Sequence, residues 1–128
     1  MTLLTRDQLL TPVERKIVRV DLSELGEDCH VFVQGMTAKG RSHFERQFAG
    51  KSERASERRM AEIRERLMIA CVCDGEGNRL LNKDDVEALG QQAASVVELI
   101  VDACQKVCGM SSDDVETLAE NSEGIQAQ

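Results

Sequence analysis

The sequence contains no tryptophan and no tyrosine, and only three of its 128 residues are phenylalanine. A core must therefore be built from aliphatic side chains and methionine, which favours packed helices. The scarcity of aromatic residues also argues against recognition of single-stranded nucleic acid, because such binding stacks bases on exposed aromatic rings. With 41% hydrophobic residues, the chain is long enough for one domain with a hydrophobic core and short for two.

Long apolar runs are also missing. No stretch reaches the ~18 apolar residues of a transmembrane helix, and the first residues lack the apolar run of a signal peptide. We therefore expect a cytoplasmic protein without membrane contact.

The net charge is −7, and residues 67–128 carry 12 acidic and 3 basic groups, which disfavours binding to nucleic acid or to a membrane surface. Residues 39–66, with 9 basic and 5 acidic groups, form either a solvated helix face or a surface for an acidic partner.

The five cysteines are an odd number, which fits poorly with a complete disulfide framework. Cys71 with Cys73, and Cys104 with Cys108, could be combined with a histidine into a zinc site. However, a Cys-x-Cys pair at a helix end points its thiols in divergent directions, and the second pair lies on an apolar face where cysteine behaves as a small hydrophobic residue. We expect buried core cysteines and no metal. The alternative left open is a small metal- or redox-responsive regulatory protein that uses its cysteines and histidines.

Motifs for catalysis are absent. The sequence has no Gly-x-Ser-x-Gly, and its glycine-rich turn is not followed by Gly-Lys-Ser/Thr, so neither a hydrolase nor a phosphate loop is indicated. Asp74, Glu76, Asn78 and Asp85 imitate part of a calcium loop, but Arg79 stands where that loop requires glycine. We expect an ordinary polar turn there, no cofactor and no enzyme.

The longest amphipathic segment is Val86–Cys108, in which apolar residues recur at helical spacing, and it is interpreted as the central core helix. Asn82 precedes it as a capping residue, and Gly109 follows it as a left-handed C-cap. Gly90 costs roughly 1 kcal/mol in a helix interior, so it is expected to separate a short first turn from the longer helix.

Two short β-branched runs, Lys16–Leu22 and Cys29–Gln34, alternate apolar and polar residues and are typical of strands. The turn between them, Gly26–Asp28, makes them a β-hairpin. Before them, the stretch Thr5-Arg6-Asp7-Gln8 is expected to cap one short helical turn within an otherwise partly mobile arm, residues 1–14.

The remaining segments are helical by pattern. Thr37 is expected to cap a helix to about Phe48, a second helix runs from Ser52 or Ser56 to about Val72, and Ser111 caps a third, Asp113–Glu120. The predicted fold is α+β and mostly α-helical, with the hairpin packed on a bundle of about four helices. A single domain spans residues 1–128: the arm (1–14), the hairpin (15–35), the helical part (36–120) and a frayed tail (121–128).

Residues 64–90 read RERLMIACVCDGEGNRLLNKDDVEALG. A helix with an apolar end is followed by an Asp-Gly-Glu-Gly-Asn turn, a pair of leucines and an acidic helix start that closes in Leu-Gly. This order resembles the tail assembly chaperones of long-tailed bacteriophages and prophages, the lambda-like minor tail assembly proteins. The features before it (Leu-Thr-Arg-Asp-Gln-Leu-Leu, then the hairpin) and after it (a glycine break, an acidic segment and Glu-Asn-Ser) follow the family order, so the resemblance covers nearly the full chain.

The resemblance implies an assembly factor that is absent from the mature virion and acts in the cytoplasm of the bacterial host. Such proteins bind the long, aggregation-prone tape measure protein, keep it soluble and help to recruit tail tube subunits, in many phages through a longer frameshifted form that binds the tail tube protein. A homo-oligomer, as a ring or short filament, would suit a protein that coats a long client.

A chaperone of this kind needs apolar residues that its own core does not use. The predicted partner-binding residues are Leu3, Leu4, Leu9, Leu10, Phe44 and Phe48. Packing inside the protein is the alternative interpretation of the same side chains, because a contact face and a core face have the same sequence pattern.

Overall fold

A computed structural model describes residues 2–48 and 52–110. The predicted helix 113–120, its cap at Ser111 and the predicted tail 121–128 lie outside these residues. Within the described ranges no helix is both long and apolar enough to cross a bilayer.

The N-terminal part confirms the predicted short helix and hairpin. Helix α1 covers Arg6–Leu10, and strands β1 (Ile17–Asp21) and β2 (His30–Gln34) pair antiparallel, with Val18 opposite Val33. Alternation along these strands directs one set of side chains inward, and Val33 is fully buried.

A third strand was not predicted from the sequence. Strand β3 is only Val72–Cys73, and it pairs antiparallel with β2 to give the sheet order β1-β2-β3. A further bridge joins Cys73 to Arg79 across the turn between them. Two residues are too few to show the alternation that identifies a strand, so β3 is held by its partner rather than by its own sequence.

The middle of the chain forms three helices where two were predicted. Helix α2 covers Ala38–Arg46 and is capped by Thr37, whose hydroxyl accepts a hydrogen bond from the Gly40 amide at 3.0 Å. The next predicted helix is interrupted at Glu62, which separates α3 (Glu53–Ala61) from α4 (Ile63–Cys71).

The predicted central helix is confirmed with its expected break. Asn82 caps a 3₁₀ turn (Lys83–Asp85) through a capping box with Asp85, and helix α5 (Val86–Gly90) follows and ends at Gly90. Helix α6 covers Ala94–Val107. Gly109 has φ +66, the left-handed conformation predicted for the C-cap.

The core lies between α6, α4 and the inner face of the sheet, and α2 packs against α4. Helix α6 buries one face, which consists of Val96, Val97, Ile100, Val101 and Cys104. Facing residues include Leu67 and Met68 from α4 and Val20 and Val33 from the sheet. The core is almost entirely aliphatic and sulfur-containing, as the composition requires.

Candidate partner-binding surface

The N-terminal arm exposes its apolar side chains. Leu3 is 95% exposed, Leu4 56%, Leu9 72% and Leu10 61%, and no residue of α1 is buried. Leaving a leucine side chain in water forgoes about 1.5–3 kcal/mol of burial free energy. Several such residues within eight positions form an apolar segment available to a partner.

Local hydrogen bonds shape this segment. The Thr5 hydroxyl accepts from the Gln8 amide at 3.3 Å, and the Gln8 side chain accepts from the Thr5 amide at 2.9 Å, which completes a capping box. At the other end, the Thr11 amide and hydroxyl both donate to the Asp7 carbonyl oxygen. The arm therefore presents Leu9 and Leu10 from a defined turn of helix, and Leu3 and Leu4 precede the cap of that turn.

The arm joins the body of the protein at Arg15. Its guanidinium donates to the Gly35 carbonyl oxygen at 2.6 Å, and its own carbonyl oxygen accepts from the Gln34 side chain at 3.0 Å. Val13, between the leucines and this anchor, is 86% exposed and was not among the predicted contact residues. In the sequence, its position after Pro12, in a stretch with no strand or helix pattern, could have indicated that Val13 is exposed.

A groove with a volume of about 780 Å³ lies between β1 and α6. Its apolar wall includes Val18, Met36 and Leu99, of which Leu99 is 45% exposed. Charged residues, among them Arg19 and Asp102, surround it. Among the described residues β1 pairs only with β2, so the groove lies beside a free strand edge. Sequence analysis did not identify it, because it is formed by two segments far apart in the chain.

The structure corrects the prediction for Phe44 and Phe48. Both are 1% exposed, and their rings pack edge to face with centroids 5.1 Å apart in the core beneath α2. Phe44 lies on the inward face of α2, and Phe48 lies in the turn just after the helix. They are packing residues in this structure. Of the six predicted partner-binding residues, only the four leucines lie at the surface.

Three of the cysteines meet at the ends of α4 and α6. The sulfur of Cys71 lies 3.4 Å from that of Cys108 and also contacts the thiol of Cys104. The hydrogen bond with Cys104 and burial raise the pKa of the Cys71 thiol, and the hydrogen bond with Cys71 and burial raise the pKa of the Cys108 thiol, so both stay protonated at neutral pH. Cys73 is buried as well, and burial raises the pKa of its thiol.

No three His, Cys, Asp or Glu side chains among residues 2–48 and 52–110 come together in a way that could hold a metal ion. Two of the residues that imitate a calcium loop use their carboxylates locally: Asp74 within the turn and Asp85 in the capping box at Asn82. The Asp74 carboxylate accepts from the amides of Asn78 and Glu76, and these bonds hold the pKa of that carboxyl below its usual range.

A solved structure is similar to this chain. The tail assembly chaperone of bacteriophage HK97 superposes with a TM-score of 0.51 at 15% sequence identity, over 71% of this chain and 84% of the other. The chain shares the fold of a phage tail assembly chaperone. The resemblance seen in residues 64–90 is thus confirmed at the level of the fold.

No protein-family model and no curated protein sequence matches the chain. At 15% identity the similarity establishes the α+β architecture and not the partners, because one fold can serve several functions.

Proposed function

We propose that this chain is a phage tail assembly chaperone that binds the tape measure protein and keeps it soluble. The observation that carries the proposal is the exposed leucine segment of the arm, on a fold shared with the HK97 tail assembly chaperone. The protein is non-enzymatic, acts in the host cytoplasm and leaves the assembly before the virion is mature.

The arm is the client-binding element. Leu3, Leu4, Leu9 and Leu10 contact apolar side chains of the client, which removes their surface from water. The groove beside β1 supplies a second contact, where its apolar wall accepts side chains and its charged rim interacts with the polar face of a client segment. The net charge of −7 keeps the loaded complexes from aggregating.

Tail tube subunits are gathered around the coated client, and a longer frameshifted form of the protein makes that contact. Coating a long client also favours contacts between neighbouring copies, so the predicted homo-oligomer is part of the proposal. Neither step requires a cofactor.

Co-expression with the long protein encoded next to this chain tests the proposal. We expect the client to be insoluble alone, soluble in the presence of the chaperone, and to co-elute with several copies on size exclusion. Unchanged client solubility together with separate elution would overturn the client-coating mechanism.

A variant with all four arm leucines replaced by serine tests the proposed contact. It should stay folded, because none of the four is buried, and it should lose client solubilisation. The matched control replaces Leu25 and Leu80, which are 52% and 55% exposed outside the arm, and should keep it. Equal loss in both variants would contradict the arm as the binding element.

A further inference from the structure

A second groove, separate from the arm and from the β1–α6 groove, carries a concentration of positive charge. It lies between α2, α4 and the segment 79–83, and its volume is about 770 Å³. Basic side chains line it: His43, Arg46, Arg66, Arg79 and Lys83. Among the described residues that line it there is no carboxylate. We call it the basic groove.

Most of this charge is not neutralised locally. Arg66 forms an ion pair with Glu62 at 2.8 Å, whereas Arg46, Arg79 and Lys83 form no ion pair with any described residue. The floor of the groove is apolar and includes Phe44, Ile69, Ala70 and Leu81. An occupant that fits would combine several carboxylates with a few aliphatic side chains.

The chain itself contains such a segment. Residues 111–128 carry five acidic residues and no lysine or arginine, in a protein whose groove-forming region is basic. The acidic residues between 113 and 120 surround Val115 and Leu118. This composition matches both the charge and the apolar floor of the basic groove.

The described part of the chain ends two residues after a contact with α2, the helix that forms one side of the groove. Met110 is buried at 5% exposure, and the preceding Cys108 carbonyl oxygen accepts a hydrogen bond from Arg41 of α2 at 3.2 Å. Arg41 directly follows Gly40, which lines the groove. Asp113 is three positions beyond Met110 in the sequence, a span of roughly 10 Å when extended.

We propose that the acidic segment 111–120 docks in the basic groove of its own chain. A single exposed ion pair contributes only about 0.2–1 kcal/mol, so binding requires several pairs and the apolar contacts together. The short tether also favours binding, since it raises the effective concentration of the segment at the groove into roughly the millimolar range. This inference does not depend on the proposed chaperone function.

Zero-length carbodiimide cross-linking of the full chain, followed by mass spectrometry, tests the proposal. The reagent joins a carboxylate to a lysine amine only when the two are in contact. Lys83 lines the groove, whereas exposed Lys106 is much closer to the segment in sequence and should react most if the segment does not dock. Mixing unlabelled and ¹⁵N-labelled protein separates links within a chain from links between chains.

We expect links from Asp113, Asp114 or Glu116 to Lys83 within one chain, at roughly five-fold the yield of links to Lys106. They should decline in about 0.5 M NaCl, because salt screens exposed charges. An R46E/R79E variant should lose them, and the control R54E/R64E, with the same change in net charge at exposed positions, should keep them. Predominant links to Lys106, links only between chains, or equal effects of the two variants would overturn the proposal.

Discussion

The sulfur atoms of Cys71 and Cys108 lie 3.4 Å apart, where the last residue of α4 meets the C-cap of α6. Hydrogen bonding within the thiol cluster and burial raise the pKa of both thiols. Packing of these two helix ends against each other therefore depends on the two cysteines staying protonated.

This coupling predicts a loss of stability in alkali. Above the unfolded-state pKa of about 8.5 the unfolded chain releases these protons while the folded chain keeps them, so the free energy of unfolding falls as pH rises. Each thiol that stays protonated in the folded protein contributes up to about 1.4 kcal/mol per pH unit to this slope. Urea unfolding between pH 7 and pH 10 under reducing conditions, followed by circular dichroism, measures it.

The variant C71A/C108A provides the control. It should be less stable at pH 7, because the buried Cys71 and the partly buried Cys108 lose their sulfur atoms, and its stability should decrease less steeply above pH 8.5. An alkaline slope identical to that of the unsubstituted protein would show that other groups dominate and would contradict the prediction.

Arg66 connects two helices and should contribute measurably to stability. Its guanidinium donates to Glu62 at 2.8 Å and to the Gln47 side chain on the C-terminal side of α2 at 2.9 Å, and its side chain is 17% exposed. Arg66→Ala should lower the free energy of unfolding by about 1–2 kcal/mol, because partly buried acceptors lose their donor. Arg66→Lys should recover only part of this, since an ammonium group cannot reproduce the planar fork.

Arg64 offers a matched control for that experiment. It lies in the same helix two residues earlier and is exposed. Arg64→Ala should change the free energy of unfolding by less than about 0.5 kcal/mol. Equal destabilisation by the two alanine variants would mean that helix propensity, and not the bridge to α2, explains the effect.

The sequence was informative where a feature depends on local chemistry. The hairpin followed from alternation, the cap at Asn82 from its acidic followers, and the breaks at Gly90 and Gly109 from the conformational preferences of glycine. Strand β3 and the interruption at Glu62 were missed. Glu62 is neither glycine nor proline, and it leaves the helix at φ −103 and ψ 12 without a residue type that announces a break.

The surface was harder to predict than the fold. Leu9 with Leu10 and Phe44 with Phe48 all look apolar and helical in sequence, yet the leucines are exposed and the phenylalanines are buried. Which face of a helix meets the core depends on tertiary packing, which a single sequence does not specify. Both grooves arise from segments distant in the chain and carry no contiguous motif.

Substitutions in the core and substitutions in the arm should therefore differ in their effect on the free energy of unfolding. Phe44→Ala removes a side chain that is 1% exposed and should lower the free energy of unfolding by about 3–5 kcal/mol. Leu9→Ala, at 72% exposure, should change it by less than about 0.5 kcal/mol. Chemical denaturation distinguishes the two, and comparable losses would contradict the exposure of the arm.

Two glycines predict opposite responses to the same substitution. A methyl group on Gly35, just after β2, would lie 2.6 Å from the Val107 carbonyl oxygen, and neither backbone can move without separating the sheet from α6. Gly35→Ala should therefore lower the free energy of unfolding by about 2–3 kcal/mol.

Gly90 ends α5, and a methyl group there would come no closer than 3.8 Å to another heavy atom, the Glu65 carboxylate oxygen. Gly90→Ala should be neutral or raise the free energy of unfolding by up to about 1 kcal/mol, because alanine loses less backbone entropy in a helix. Far-UV circular dichroism is the appropriate signal, since the chain lacks tryptophan. If Gly35→Ala were neutral, the close approach of β2 to the end of α6 would be incorrect, and with it the geometry that forms one end of the β1–α6 groove.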